Sequence, residues 1–166
     1  MSDESLVCDT TVLLYLNRIE MLKLLPSLFK DVYVPSEVVL ELDMGRLLRN
    51  DTIDPRKIEW VQIIEVSWND IEKLPKNRLG KGERAVIAYA QSKTNCIVGL
   101  DDRLARLLAE EQNIRIVGTI GLLLKAKEAG LISVVRPFLE SLLIEGFHLS
   151  SGVYQETLTI AGESLT

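Results

Sequence analysis

A short apolar run that ends in an acid constrains this chain more than any other feature. Leu6-Val7-Cys8 leads directly into Asp9-Thr10-Thr11, and Val12-Leu13-Leu14 follows. Consecutive buried-type residues read as a strand with neither face open to water, the pattern of a parallel sheet covered on both sides. The carboxylate falls where the chain turns, and the hydroxyls of Thr10 and Thr11 are placed to cap the helix that follows. Cys96-Ile97-Val98-Gly99-Leu100 repeats the form, ends in Asp101-Asp102 and runs into a helical pattern. Ligands of open α/β sheets collect at the carboxyl ends of the strands. The two runs are therefore expected to lie side by side with their acids together.

The rest of the chain alternates in the same way. A short helix is expected over residues 11–18, then a second helical stretch with Ile19, Leu22, Leu25 and Leu28-Phe29 at helical spacing, kinked or restarted at Pro26. Val32-Tyr33-Val34 reads as a strand. Pro35 suits the first position of a helix whose apolar side is Val38, Leu42 and Met44. A polar loop over 49–57 precedes a strand-like run over 60–66 and one or two helical turns over 68–74. Residues 76–82, with Gly80 and Gly82 around Lys81, read as the most flexible interior segment. Glu83 then opens a small-residue helix through Ala90. Beyond Asp102 come a helix over 103–112 with Leu104, Leu107 and Leu108 inward, and a strand over 115–117. A helix over 120–129 follows, capped by Gly118-Thr119 and ended by Gly130, and two further helices lie over 134–145 and 151–161. This alternation predicts a three-layer α/β/α sandwich with a central, mainly parallel sheet. It is expected to form a single domain over residues 1–166, with its core at about 6–162.

At 166 residues and 47% hydrophobic content the chain is long enough to bury a real core, and with 5% aromatics that core must be mostly aliphatic. The net charge of −5 does not advertise a nucleic-acid surface, although an acidic metal site adds negative charge that its metal offsets. No apolar stretch is long enough to span a membrane. The acidic start Met1-Ser2-Asp3-Glu4-Ser5 lacks a signal-peptide pattern, so a cytoplasmic location is expected. With Asp9 and Asp101 level, Cys8 and Cys96 are offset by about four residues, roughly 13 Å at the rise of a strand. A disulfide tolerates a Cα separation of about 7 Å, so two buried free thiols are expected.

Asp9, Glu41, Glu83 and the Asp101-Asp102 pair stand out as candidate site residues. Each has an ordinary structural use. Asp9 and one of the paired aspartates can cap helices. Glu83 falls in a first helical turn, where the helix dipole favours acids. Glu41, between Leu40 and Leu42, reads as a surface glutamate. Only one of two adjacent acids can cap, however, so the other must be solvated, paired or ligated. Carboxylates converging at one sheet edge repel each other unless a cation joins them. An all-oxygen donor set selects Mg²⁺ or Mn²⁺ over zinc. His148 is the only histidine, between Phe147 and Leu149 and with no acid near it in sequence, which disfavours serine- or cysteine-nucleophile triads. Neither a P-loop nor a dinucleotide-binding glycine fingerprint occurs.

The order of these motifs resembles the PIN-domain family. The resemblance runs from the strand ending in Asp9-Thr10-Thr11 through Val34-Pro35 and Glu41-Leu42. It continues through Leu79-Gly80-Lys81-Gly82-Glu83, Val98-Gly99-Leu100-Asp101-Asp102-Arg103 and Gly118-Thr119-Ile120-Gly121, to Lys125-Ala126-Lys127-Glu128-Ala129-Gly130. Within the family the chain is similar to a prokaryotic subgroup of VapC-type toxins of toxin–antitoxin pairs. The resemblance implies an endoribonuclease dependent on Mg²⁺ or Mn²⁺, with Asp9, Glu41, Glu83 and Asp101 as catalytic acids. Metal would be held by Asp9, Glu83, Asp101 and Asp102, and Thr11 would help to hold the site. It also implies an RNA substrate, an antitoxin protein as partner and a homodimer. Two departures stand out: the third acid is a glutamate tied to a Gly-x-Gly turn, and no aromatic loop follows Asp102. Lys76, Arg78, Lys81, Arg103 and Arg106 flank the motifs and are candidate phosphate contacts.

Other readings fit the residues less well. A PIN-like module that binds protein or RNA without turnover would not need all its acids, yet every acid position is filled. A phosphatase of the haloacid-dehalogenase type would carry Asp-x-Asp after the first strand, where this chain has Asp9-Thr10-Thr11. A receiver domain would need a lysine closing a later strand, which Arg115-Ile116-Val117-Gly118-Thr119 lacks.

Overall fold

The computed structural model describes residues 3–49, 52–75 and 79–164. Its centre is β1 (Ser5–Cys8), where Leu6, Val7 and Cys8 are wholly buried. It pairs in parallel with β2 (Val32–Pro35) on one side and with β4 (Cys96–Gly99) on the other. β3 (Val61–Ile64) lies outside β2, and β5 (Ile116–Val117) lies outside β4. The order is β3-β2-β1-β4-β5, and every pairing is parallel. Parallel neighbours need crossover connections, and helices supply them.

The helices are α1 (Thr10–Arg18), α2 (Leu24–Leu28), α3 (Ser36–Leu48), α4 (Trp68–Glu72), α5 (Lys81–Gln91), α6 (Arg103–Glu111), α7 (Thr119–Glu128), α8 (Arg136–Ile144) and α9 (Ser151–Ile160). They cover the sheet as the outer layers of an α/β/α sandwich. α5 packs on β1, β2 and β4 through Ala85, Val86, Ala88 and Ala90, whose small side chains let the helix approach the strands closely. α1 and α2 both touch α7, α9 joins them through α7, and α3 meets both α1 and α5. The core is aliphatic, as the low aromatic content requires; its largest fully buried side chains are leucines together with Ile87.

The chain first steps from β1 outward to β2 and β3, then crosses back to β4 on the other side of β1. The direction of winding therefore reverses between β1 and β4. The carboxyl ends of those two strands flank a crevice, and Asp9 and Asp101 follow them directly.

Several expectations need correction. The β1–β4 register sets Cys8 opposite Gly99 and Cys96 opposite Ser5, so Asp9 is level with Leu100 and not with Asp101. Both cysteines are nevertheless free and buried. Pro35 closes β2 and stands at the N-cap of α3 instead of inside it. Met44 points outward at 64% exposure, and the buried side of α3 is Val38, Val39 and Leu42. Leu104 and Leu107 are likewise exposed, because α6 turns its small residues Ala105 and Ala109, with Leu108, toward the core. Pro26 lies in the first turn of α2, where no intrahelical N–H is needed, so the chain restarts a helix there and does not bend one. Gly130 ends α7 with φ +77°, the left-handed conformation that glycine adopts without strain.

Candidate functional site

The acids meet at the crevice. Asp9 occupies the N-cap position of α1, yet its side chain makes no capping bond. Its residue is 3% exposed, and its Oδ1 is buried with no hydrogen-bond partner. Burial raises its carboxyl from the ordinary 3.8 to about 8; the backbone hydrogen bond of Thr10 opposes this, and the charges of Glu83, Glu41 and Asp101 add to it. An acid so placed is protonated near neutral pH unless a cation offsets its charge.

The neighbouring acids are each tied to the backbone or to a hydroxyl. Glu41, on α3, accepts the Gly82 N–H at Oε1 (2.9 Å) and the Thr10 hydroxyl at Oε2 (2.7 Å). Glu83, in the first turn of α5, accepts the Gly80 N–H at 3.0 Å. Burial raises the Glu83 carboxyl, the Gly80 bond opposes the rise, and the adjacent Asp102 and Glu41 reinforce it. Asp101 accepts both the N–H and the hydroxyl of the fully buried Thr119, each at 2.7 Å. Burial raises the Asp101 carboxyl, while these two bonds and the Arg106 guanidinium pull it down. Asp102 caps α6 by accepting the Ala105 N–H at 2.9 Å. The doublet thus divides its work: Asp102 caps, and Asp101 is paired.

Two glycines admit this arrangement. A Cβ on Gly82 would lie 2.6 Å from Glu41 Oε1, and one on Gly118 would lie 2.9 Å from Asp101 Oδ1. The Gly80-Lys81-Gly82 spacing is visible in the sequence, but nothing local marks Gly82 or Gly118 as part of the site. Local pattern assigns Thr10 and Thr119 only to helix caps. In the structure it is Thr10, not Thr11, whose hydroxyl reaches an acid of the site. Thr11 stands beside it on α1, half-buried.

Lys81 opens α5, Arg103 opens α6, and Arg106 lies one turn further along α6; all are exposed. Lys76 and Arg78 fall outside the described residues. His148 is exposed, between the half-buried Phe147 and Leu149. It lines a cavity of about 810 Å³ that opens beside Asp101 between α6, β5, α7 and α9.

Among the described residues, no three acids, histidines or cysteines are already gathered as a metal cage. The hydrogen bonds of Glu41, Glu83, Asp101 and Asp102 account for this, since each carboxylate is turned to an internal donor. Asp9 is the exception: its orphaned buried oxygen, beside other acids in an all-oxygen donor set, fits a hard divalent cation.

An all-parallel sheet with carboxylates at its switch point defines an acid-site α/β protein. The family model DUF3368, PIN domain, matches residues 5–163, and the chain belongs to the PIN-domain family, with its nuclease-type fold. None of the curated proteins matches the chain. Among the described residues no helix is long and apolar enough to cross a membrane.

Proposed function

We propose that the protein is a metal-dependent endoribonuclease that hydrolyses RNA phosphodiester bonds. The observation that carries this reading is the buried Asp9 oxygen without a donor, at the switch point of a PIN-domain sheet and within the field of Glu41, Glu83 and Asp101. Asp9, Glu83, Asp101 and Asp102 are the residues that would hold Mg²⁺ or Mn²⁺, with Glu41 completing the acid set. Such an ion, when bound, supplies charge for the phosphate oxygens and lowers the pKa of a water. The chain's own groups prepare the site. Thr119 holds Asp101 in place, and Thr10 with the Gly82 amide holds Glu41. Thr11 is assigned a supporting role beside Thr10. Lys81, Arg103 and Arg106 are cations for positioning the strand by its phosphates. A VapC-type toxin role, an antitoxin partner and a homodimer extend the proposal, and they rest on the family resemblance alone.

The test is cleavage of a mixed pool of structured and single-stranded RNAs, with Mg²⁺, with Mn²⁺ and with chelator, by wild type and Asp9→Asn. Metal-dependent cutting by wild type alone is expected. Cutting by the purified variant, or in chelator, would overturn the assignment. The internal hydrogen bonds of Glu41, Glu83, Asp101 and Asp102 favour a second reading, a PIN-like module that binds protein or RNA without turnover. Metal binding without cleavage of any RNA would select it.

A further inference from the structure

Arg84 follows Glu83 on α5, and its half-buried side chain reaches across to α4. Its Nη1 donates to the Pro75 carbonyl at 2.9 Å. Its Nη2 donates to the Ile71 carbonyl at 3.0 Å and, less closely, to the Leu74 carbonyl at 3.4 Å. α4 has five residues, and a helix of little more than one turn is marginal without outside support. Carbonyls at a helix end lack donors within the helix, and a basic side chain can serve as their cap. Here one planar guanidinium serves three of them, which the single nitrogen of a lysine cannot do in the same geometry. The side chains of Ile71 and Leu74 are buried, so the end of α4 is packed as well as bonded. The chain that leaves this clamp is tied again at its far end. Four residues separate Pro75 from Gly80, whose N–H donates to the Glu83 carboxylate at 3.0 Å. The Gly80 carbonyl accepts the backbone N–H of Arg84 at 3.1 Å and closes the first turn of α5. Within that turn the Gly82 N–H holds Glu41. Two adjacent residues, Glu83 and Arg84, thus fix both ends of one short connection.

We propose that Arg84 is a positioning residue for the acid site: it clamps the end of α4 to α5 and thereby fixes where Glu83 and the Gly82 amide stand. The inference rests on the metal-dependent reading of the site and adds to it a residue outside the acid set. Without the fork, the Ile71, Leu74 and Pro75 carbonyls lose a donor, and the end of α4 must shift to bring them to water. That shift draws on the connection that ends at Gly80. Glu83 then loses its amide partner, and the turn that presents the Gly82 N–H to Glu41 loosens with it. Arg84 acts through geometry and not through its charge, and the two effects have opposite signs. Removing a cation near a group of acids tightens the binding of a metal cation by Coulomb's law. Loosening the support of those acids weakens it.

The experiment compares full-length wild type, Arg84→Met, Arg84→Lys and Glu163→Gln, each well below its melting temperature. Methionine keeps an unbranched apolar stem without the fork, and lysine keeps the charge without the fork. Glu163→Gln removes a carboxylate that holds the start of α8, away from the acids, and controls for lost stability in general. Two quantities are read: Mn²⁺ affinity by titration calorimetry, and hydrogen exchange of the Gly80 and Gly82 amides in metal-free protein. Arg84→Met is expected to bind Mn²⁺ about tenfold more weakly than wild type, and Arg84→Lys roughly threefold more weakly. In both, the two amides are expected to exchange faster by about fivefold or more. Glu163→Gln is expected to match wild type in both quantities. Should Arg84→Met fail to fold, Arg84→Lys carries the same test. Mn²⁺ binding by the Arg84 variants as tight as wild type or tighter, unchanged exchange of the two amides, or equal changes in Glu163→Gln would each overturn the proposal. The two readings fail separately. Faster exchange at Gly80 and Gly82 in the Arg84 variants, with neither Mn²⁺ binding nor RNA cleavage by wild type, supports the clamp and sinks the nuclease. Metal-dependent cleavage by wild type, with Arg84 variants that match it in exchange and affinity, does the reverse.

Discussion

Glu41 and Gly82, far apart in sequence, are fitted to each other: the Gly82 N–H donates to Glu41 Oε1 at 2.9 Å, and any Cβ on Gly82 would stand 2.6 Å from that same oxygen. The contact joins α3 to the first turn of α5, where a carboxylate also meets the positive end of the helix dipole. Gly82→Ala must push Glu41 aside. The loss of one charge-assisted bond is expected to lower stability by on the order of 1–2 kcal/mol, read from urea denaturation. Cleavage is expected to fall by about 100-fold, because a reacting group displaced by about an ångström loses that much.

Asp9 links the site to pH. Its folded-state value of about 8 lies above the unfolded 3.8, so the native protein without metal holds a proton that the unfolded chain releases. The stability this provides is full below about pH 4 and is lost as pH rises through about 8. Asp9→Asn cannot ionise. Its melting temperature is expected to lie nearest to wild type at or below about pH 4 and to exceed wild type by a margin that grows as pH rises toward about 8, reaching on the order of 1 kcal/mol or more. Parallel melting curves of the two proteins across this range would refute the account.

Metal should act through the same group. A cation that displaces the Asp9 proton binds more tightly as pH rises toward about 8 and less steeply above it. Millimolar Mn²⁺ or Mg²⁺ is therefore expected to raise the melting temperature of wild type at about pH 7.5 and to leave Asp9→Asn unmoved. Chelator should reverse the gain. A rise of equal size in both proteins would place the metal elsewhere.

Thr119 is the support of Asp101. Thr119→Val keeps the shape of a wholly buried side chain, keeps the 2.7 Å amide bond and removes the hydroxyl bond. A cost of about 1–3 kcal/mol is expected, since the acceptor is itself largely buried. The Asp101 carboxyl should rise further, because the Thr119 hydroxyl bond pulls it down. A shift of the acid limb of the cleavage profile to higher pH would register this, and Thr119→Ser should restore it.

Near the other end of the chain Glu163 forms a latch. Its carboxylate accepts the Val135 N–H at 2.7 Å and the Arg136 N–H at 3.1 Å at the start of α8, and pairs with Lys127 at 3.0 Å. Burial pushes its carboxyl up, but the Val135 amide, the Lys127 ammonium and the Arg136 amide outweigh this and hold it below the usual range. Its stability contribution is present above the unfolded value and is lost as pH falls through the folded one. Glu163→Gln is expected to destabilise by roughly 1 kcal/mol near neutral pH and by less near about pH 3, as measured by thermal melting.

Much of the scaffold could be read from local pattern. Leu6-Val7-Cys8 and Cys96-Ile97-Val98 are apolar on both faces, and only a covered parallel strand satisfies that. The alternation with helices follows the same logic. Helix faces were less legible: Leu104, Leu107 and Met44 looked inward by spacing and are outward in fact. Spacing tells which residues share a face, while the packing partner selects the face that is buried. On α6 the alanines won because they allow close approach, which left Leu107 to line the groove beside Asp101.

The sequence by itself determined that acids end the central strands, since each follows an apolar run whose direction and burial are local consequences of composition. Only the tertiary structure decided what each acid does. Glu41 finds Gly82 and Thr10, Asp101 finds Thr119, and Asp9 finds no donor at Oδ1. These outcomes depend on strand order, register and the rotation of α3 and α5 about their axes. Those are set by burial across the whole core, and no single stretch of residues carries that information.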